Sequence, residues 1–187
     1  MILLVSAVRE ELADLPGHPV GVGAVQAAVA ATSLIREHAP DGVVMMGTAG
    51  AYPGGPAVGA AVVAARVGQA QGLSVMGLGY TPRPPAPIPA DPRLMARFDV
   101  PHVGILSVDA ISTDAILARR LADDWQVEQL EAFGVAYACA SAGVPFTMVF
   151  GITHRVGPEA HTHWLTNRVV ARRAARAAIG TWIGGSA

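Results

Sequence analysis

Four places in the chain carry side chains able to act on a bound molecule, and each follows a short apolar run. Glu10 and Glu11 come directly after Ile2-Leu3-Leu4-Val5-Ser6-Ala7-Val8 and Arg9. A carboxylate there can serve as a general base for water or simply offset the dipole of a helix starting at that point. Gly21-Val22-Gly23 leads into an alanine-rich stretch and looks like a dinucleotide fingerprint cut short, with Gln26 where the third glycine would stand. Glycines let backbone approach a ligand ahead of the free N–H groups of a helix start; a plain tight turn is the other reading. The loop holds no arginine or lysine, which favours water or a sugar over a phosphate. Glu131 stands at the mouth of the apolar segment Phe133-Gly134-Val135-Ala136, where a buried acid needs a partner. A ligand hydroxyl would serve, and so would a helix cap. His154 follows the last apolar run, with His161 and His163 close behind. Their spacing matches no standard zinc motif. Cys139, the sole cysteine, lies within an apolar helix and reads as core. No metal and no cofactor are expected.

Composition narrows the classes. Of the 187 residues, 52% are hydrophobic and 14% charged, enough apolar material for one large core. A single domain spanning 1–187 is expected. The net charge is −1, from 13 basic against 14 acidic side chains, so nothing neutralises a nucleic-acid backbone. All basic residues are arginine, which excludes lysine Schiff-base chemistry and the lysine of a P-loop. The N-terminal apolar run lacks a basic leader and meets Arg9 and Glu10 early. No uninterrupted apolar stretch of about 18 residues occurs. A cytoplasmic protein without membrane attachment is expected.

These residues need a scaffold, and the periodicity supplies one. Buried strands are expected at 2–8, 19–23, 42–47, 60–67, 102–107, 125–130 and 145–152. Helices are expected at 24–38, 114–123, 131–142 and 161–183. The stretch 68–101 carries six prolines between 82 and 92 and reads as a long irregular loop, a candidate lid. In an α/β sheet covered on both faces, ligands bind beyond the carboxyl ends of the strands. Thr48-Ala49-Gly50, Glu131 and Thr153-His154-Arg155 all fall at such ends. In the terminal helix, Arg168, Arg172 and Arg176 at i, i+4 and i+8 read as a solvated face.

Taken in order, five segments resemble the purine nucleoside phosphorylase/uridine phosphorylase superfamily. They are Ile2 to Glu11, Gly21-Val22-Gly23, Pro40-Asp41-Gly42 through Gly47-Thr48-Ala49-Gly50, Leu130-Glu131-Ala132, and the strand opened by Val144-Pro145-Phe146. The resemblance implies a three-layer αβα sandwich with a central mixed sheet, and cleavage of an N-glycosidic bond. It also implies roles: Glu11 activates water, Glu131 binds the ribose hydroxyls beside Leu130, and Gly23, Thr48, Ala49 and Gly50 line the sugar site.

Within the superfamily, the nucleosidase branch is favoured by the arginine-free glycine loop. Thr153-His154 stands where methylthioadenosine/S-adenosylhomocysteine nucleosidases have Ser-Asp. His154-Arg155-Val156-Gly157-Pro158-Glu159, with Trp164 behind it and Glu131-Ala132-Phe133-Gly134-Val135-Ala136 before it, is more similar to futalosine hydrolases of menaquinone biosynthesis. By this likeness His154 takes the place of the family's acid and donates a proton or a hydrogen bond to the leaving base. The substrate implied is a small purine nucleoside, and the site is completed by a neighbouring subunit in a homodimer or larger homo-oligomer. A methylthioadenosine-type nucleosidase or a phosphorylase is the second reading. A degenerate, non-catalytic relative is the third, suggested by the short spacing from Glu11 to Gly21 and by the Pro-rich stretch.

Overall fold

A computed structural model describes residues 1–184. Eight strands form one mixed sheet: β1 (Ile2–Ser6), β2 (His18–Pro19), β3 (Gly42–Ala51), β4 (Ala61–Gln69), β5 (Ile88–Pro89), β6 (His102–Ser107), β7 (Val127–Gln129) and β8 (Phe146–Arg155). Helices α2 (Ala24–His38) and α6 (Ala132–Ala142) pack together on one face, and α7 (Ala160–Gly184) lies on the other against β8, β3 and β4. This is the expected three-layer αβα sandwich. Short helices α1 (Arg9–Leu12), α3 (Gly72–Val75), α4 (Pro92–Met95) and α5 (Ala115–Ala122) fill the connections. Among the described residues, no helix is long and apolar enough to cross a membrane.

The sheet does more than lie between helices. β3 runs parallel to β1 and β8, β8 runs antiparallel to β4, and β4 and β6 and then β6 and β7 pair in parallel. β7 then returns antiparallel to the last residues of β3, with Gly50 opposite Glu128 and Ala51 opposite Val127. Five strands therefore close on themselves. The carboxyl end of β3 is held between the ends of β7 and β8, and this is where the candidate residues converge.

Both long strands outrun the sequence expectation. β3 was expected to turn at Thr48, and β8 to end near residue 152, because polar residues begin there. The ladder continues in each because those residues pair along Thr48↔Gly151 to Ala51↔Arg155, with Thr153 and His154 buried. The register slips between Ala49 and Gly50, which face Ile152 and His154, so Thr153 is the extra residue of a bulge. A bulge bends a strand and re-aims the neighbouring side chain; here that side chain is His154.

The 68–101 segment is also more ordered than its prolines imply. Ile88–Pro89 adds a two-residue edge to β4, a position where proline's missing N–H is tolerated. Asp91 caps α4 by accepting from the N–H groups of Arg93 (2.8 Å) and Leu94 (3.2 Å). The expected strand at 19–23 shrinks to His18–Pro19, because Gly21 and Gly23 take positive φ and break the ladder.

Candidate active site

A cavity of about 450 Å³ opens at the carboxyl ends of β3, β7 and β8, within the size range of small-molecule sites. Glu11, Thr48, Ala49, Gly50, Leu130, Glu131 and His154 all line it. Gly23 reaches it indirectly, through a hydrogen bond to Glu131. No residue of 68–101 lines it, so the Pro-rich segment is not its lid. Ile111, from the loop after β6, covers that edge instead. This loop is tied down where Ser112 donates its N–H to Glu128 Oε1 (2.9 Å) and Gly157 donates to the Ser112 carbonyl (3.1 Å).

Glu11 is placed by a single helical turn that could not stand alone. Leu12 is completely buried in the core beside it, worth about 1.5–3 kcal/mol, and fixes which way the turn faces. Glu11 thereby points inward while Glu10 stays exposed. Glu11 Oε1 accepts from both the N–H (3.0 Å) and the hydroxyl (3.1 Å) of Thr48, whereas Oε2 is buried without a partner. Gly47 makes the room: a Cβ there would lie 3.0 Å from both carboxylate oxygens. Burial pushes the Glu11 carboxyl up to about 7, with Glu131 adding to the rise and Thr48 and Arg172 opposing it.

Glu131 sits at the start of α6 but does not cap it. Gln129 Oε1 takes the N–H groups of Glu131 and Ala132, both at 2.6 Å, and Ser107 Oγ takes that of Phe133 at 2.8 Å. The capping role having gone to Gln129 and Ser107, the carboxylate faces the cavity. Its Oε1 accepts from Gly23 N–H (2.7 Å) and its Oε2 from Gln129 Nε2. Gly23 holds φ +86°, which turns its N–H toward Glu131. The glycine loop thus meets a protein carboxylate rather than an external anion. Burial raises the Glu131 carboxyl above the ordinary range.

His154, expected to donate a proton or a hydrogen bond to the leaving base, lines the cavity as a buried side chain. Burial, helped by the charge of His163, lowers its pKa to about 4, so the ring is neutral at pH 7. Its tautomer follows from a hydrogen-bond chain. The Thr153 hydroxyl has one proton and gives it to the Ala49 carbonyl (3.1 Å). The 2.7 Å contact between Thr153 Oγ1 and His154 Nδ1 therefore needs the proton on Nδ1. Nε2 is left as a bare acceptor, buried and unpartnered. Gly50, expected as a sugar-site residue, lines the cavity and also clears space for this ring, since a Cβ there would fall 2.5 Å from Nε2.

The terminal helix departs most from expectation. Arg168 and Arg172 line the cavity instead of a solvated face, and Trp164 lies beside them. The Arg168 guanidinium lies over the Trp164 ring at 5.1 Å, and only Arg176 turns away, pairing with Asp14 at 2.5 Å. The helix is seated close because Gly151 has no side chain: a Cβ would come within 1.8 Å of the Ala171 carbonyl. Asn167 also donates to the Thr153 carbonyl (3.0 Å). The signal in the sequence was the absence of any acid in α7 to partner its arginines. Glu128 was missed as well; it accepts from Tyr52 Oη (3.0 Å) and Ser112, and lines the cavity floor. Of the other histidines, His161 stacks on Trp164 and His163 lies 3.6 Å from Glu159.

Comparison with known proteins places this arrangement. The family model of the phosphorylase superfamily matches residues 15–180. Futalosine hydrolase of Thermus thermophilus is 30% identical, covering 91% of this chain and 90% of its own. A 5'-methylthioadenosine/S-adenosylhomocysteine nucleosidase of a Marinomonas species is 29% identical over 74% of this chain and 67% of its own. The native structure of futalosine hydrolase of Helicobacter pylori superposes with a TM-score of 0.85 at 18% identity, covering 98% of this chain and 97% of that one. The Neisseria meningitidis 5'-methylthioadenosine/S-adenosylhomocysteine nucleosidase, in complex with methylthio-immucillin-A, superposes at 0.82 and 18%, covering 97% of each. A family match across most of the sequence, joined to a sheet and cavity built as described, means that this chain belongs to the phosphorylase superfamily.

Proposed function

We propose that this chain is a nucleosidase that uses water to cleave the N-glycosidic bond of a purine nucleoside, of the futalosine hydrolase type. The observation that carries the reading is Glu11: a cavity-lining, buried carboxyl poised near neutrality, one oxygen fixed by Thr48 and the other without a protein partner. A general base is most useful with such a pKa. Glu131 takes the sugar hydroxyls, as an acceptor that a neutral amide would not replace. His154 Nε2 accepts an N–H from the base edge. Water rather than phosphate is supported by the glycine loop, whose Gly23 N–H is already given to Glu131.

The futalosine type is supported by the near full-length match in both chains. A methylthioadenosine-type activity is the second reading, resting on relatives of similar identity over about three quarters of this chain. The exposed valines Val22, Val25 and Val29, the first of which lines the cavity, form a face that a second copy would cover. The test is incubation with futalosine, methylthioadenosine and inosine, each with and without phosphate. Hypoxanthine release from futalosine with free sugar in phosphate-free buffer is expected. Strict phosphate dependence with a sugar 1-phosphate product overturns the hydrolase reading. Faster release of adenine from methylthioadenosine selects the second reading, and no cleavage of any substrate selects the non-catalytic relative.

A further inference from the structure

Two buried polar atoms, each on a residue that lines the cavity, lack a protein partner and are of opposite kind. Glu11 Oε2 is an acceptor and Arg172 Nε is a donor. They come from opposite ends of the chain, on α1 and α7, yet line the same cavity, and the guanidinium charge acts on the carboxyl. The carboxylate and the backbone that carries Arg172 are both held in place. Thr48 clamps the carboxylate. The contact of Gly151 with Ala171, the residue before Arg172, seats the helix. An unsatisfied buried donor or acceptor is costly. One molecule that accepts from Nε–H and donates to Oε2 satisfies both, and water is the smallest that does.

We propose that Arg172 Nε and Glu11 Oε2 together hold the attacking water, making a helix-borne arginine a catalytic partner of the base. This rests on the nucleosidase reading. In the step, the water gives one proton to Glu11 and its oxygen bonds to the anomeric carbon. The bond from that carbon to the base nitrogen breaks, and its electron pair leaves with the base, which takes a proton from solvent. Arg172 fixes the oxygen's position and keeps Glu11 ionised against the groups that favour its protonated form. What favours that form is burial itself and Glu131 before α6; Glu10 on the same turn, Glu128 at β7 and Arg168 on α7 line the same cavity, and His154 on β8 is neutral.

Arg172→Gln ends in an amide at the position of Nε and removes the charge; Arg172→Lys keeps a charge but not the Nε geometry. Exposed Arg173→Gln is the control for loss of a positive charge on the same helix. Two readouts are taken: the pH profile of kcat and KM, and the Glu11 carboxyl titration by ¹³C NMR, which needs no turnover. In Arg172→Gln the Glu11 midpoint is expected to rise by roughly one pH unit. Its kcat at pH 7 is expected to fall about tenfold or more, with KM little changed. Arg172→Lys is expected to retain the wild-type midpoint and still lose rate. An unmoved midpoint in Arg172→Gln overturns the proposal. So does a kcat equal to wild type at pH 7. If wild type cleaves no nucleoside, the nucleosidase reading fails, while the NMR titration still judges the pairing of Arg172 with Glu11.

Discussion

Thr48 donates twice to one oxygen of Glu11 and not at all to the other. The asymmetry matters because a carboxylate with one oxygen fixed and one free is held in place without being used up. The fixed oxygen sets the orientation, and the free oxygen does the chemistry.

Glu11→Gln isolates that chemistry. The amide oxygen can still accept from Thr48, so the turn stays docked, but no base remains; kcat/KM is expected to fall by roughly 10²–10⁴. Stability moves the other way. The folded carboxyl titrates at about 7 against 4.5 unperturbed, so the folded state binds this proton more tightly than the unfolded one. Its stabilising contribution is full below about pH 4.5 and is lost as pH rises through about 7. Glu11→Gln is therefore expected to match wild type near pH 4 and to exceed it at pH 8 by up to about 3 kcal/mol. Denaturant unfolding at the two pH values checks this. Equal stabilities at pH 8 would mean that Glu11 is not strained by burial.

Glu131→Gln tests the sugar contact. One amide oxygen can still accept from Gly23, but the new NH₂ confronts Gln129 Nε2, donor against donor. If Gln129 turns to relieve this, the N–H groups of Glu131 and Ala132 lose their acceptor. We expect a folded protein with Tm lowered by several degrees, for about 1 kcal/mol of lost hydrogen bonding. kcat/KM should drop by about 1.5–3 kcal/mol in transition-state terms. Wild-type kinetics would remove Glu131 from the sugar site.

Much of this architecture was readable because buried parallel strands are written as apolar runs without polar alternation; Val43 to Met46 and Met148 to Ile152 announce β3 and β8. Their ends were not readable, since Thr48 and Thr153 are polar residues whose place in the strands depends on ladder partners far away in sequence. Glu11 and Glu131 were legible because an acid at the end of an apolar run is unusual. Whether Glu131 capped its helix was not, because that depended on Gln129 reaching the same N–H groups first. Arg168 and Arg172 show the limit of spacing: i and i+4 define a shared helix face, and only the packing at Gly151 decides that this face meets the cavity.

The valine face predicts association. Val25 is 80% exposed and Val29 65%, one helical turn apart on α2, with half-exposed Tyr137 of α6 in the same apolar groove. Such a patch on a helix pair marks an interaction surface. Light scattering at micromolar concentration should report at least a dimer, and Val29→Glu should shift it to monomer. A monomeric wild-type chain would rule out the second copy.

The last prediction concerns the proton count at His154. A histidine acting as general acid would give the pH profile a descending limb near its pKa. With the ring held at about 4 and its Nδ1 proton committed to Thr153, no such limb belongs to it between pH 5 and 8. The profile should show one ascending limb, from Glu11, near pH 7. His154→Ala should leave that midpoint in place and lower the rate by about 2–10-fold, the loss of a neutral hydrogen bond. Thr153→Val removes the acceptor that holds the Nδ1 proton, freeing the ring to present either tautomer, and should lower the rate without moving the limb. Imidazole NMR offers a direct view, since His154 resonances should not titrate above about pH 5. A descending limb near pH 6.5 that disappears in His154→Ala would return the histidine to the acid role and exclude the bare-acceptor assignment.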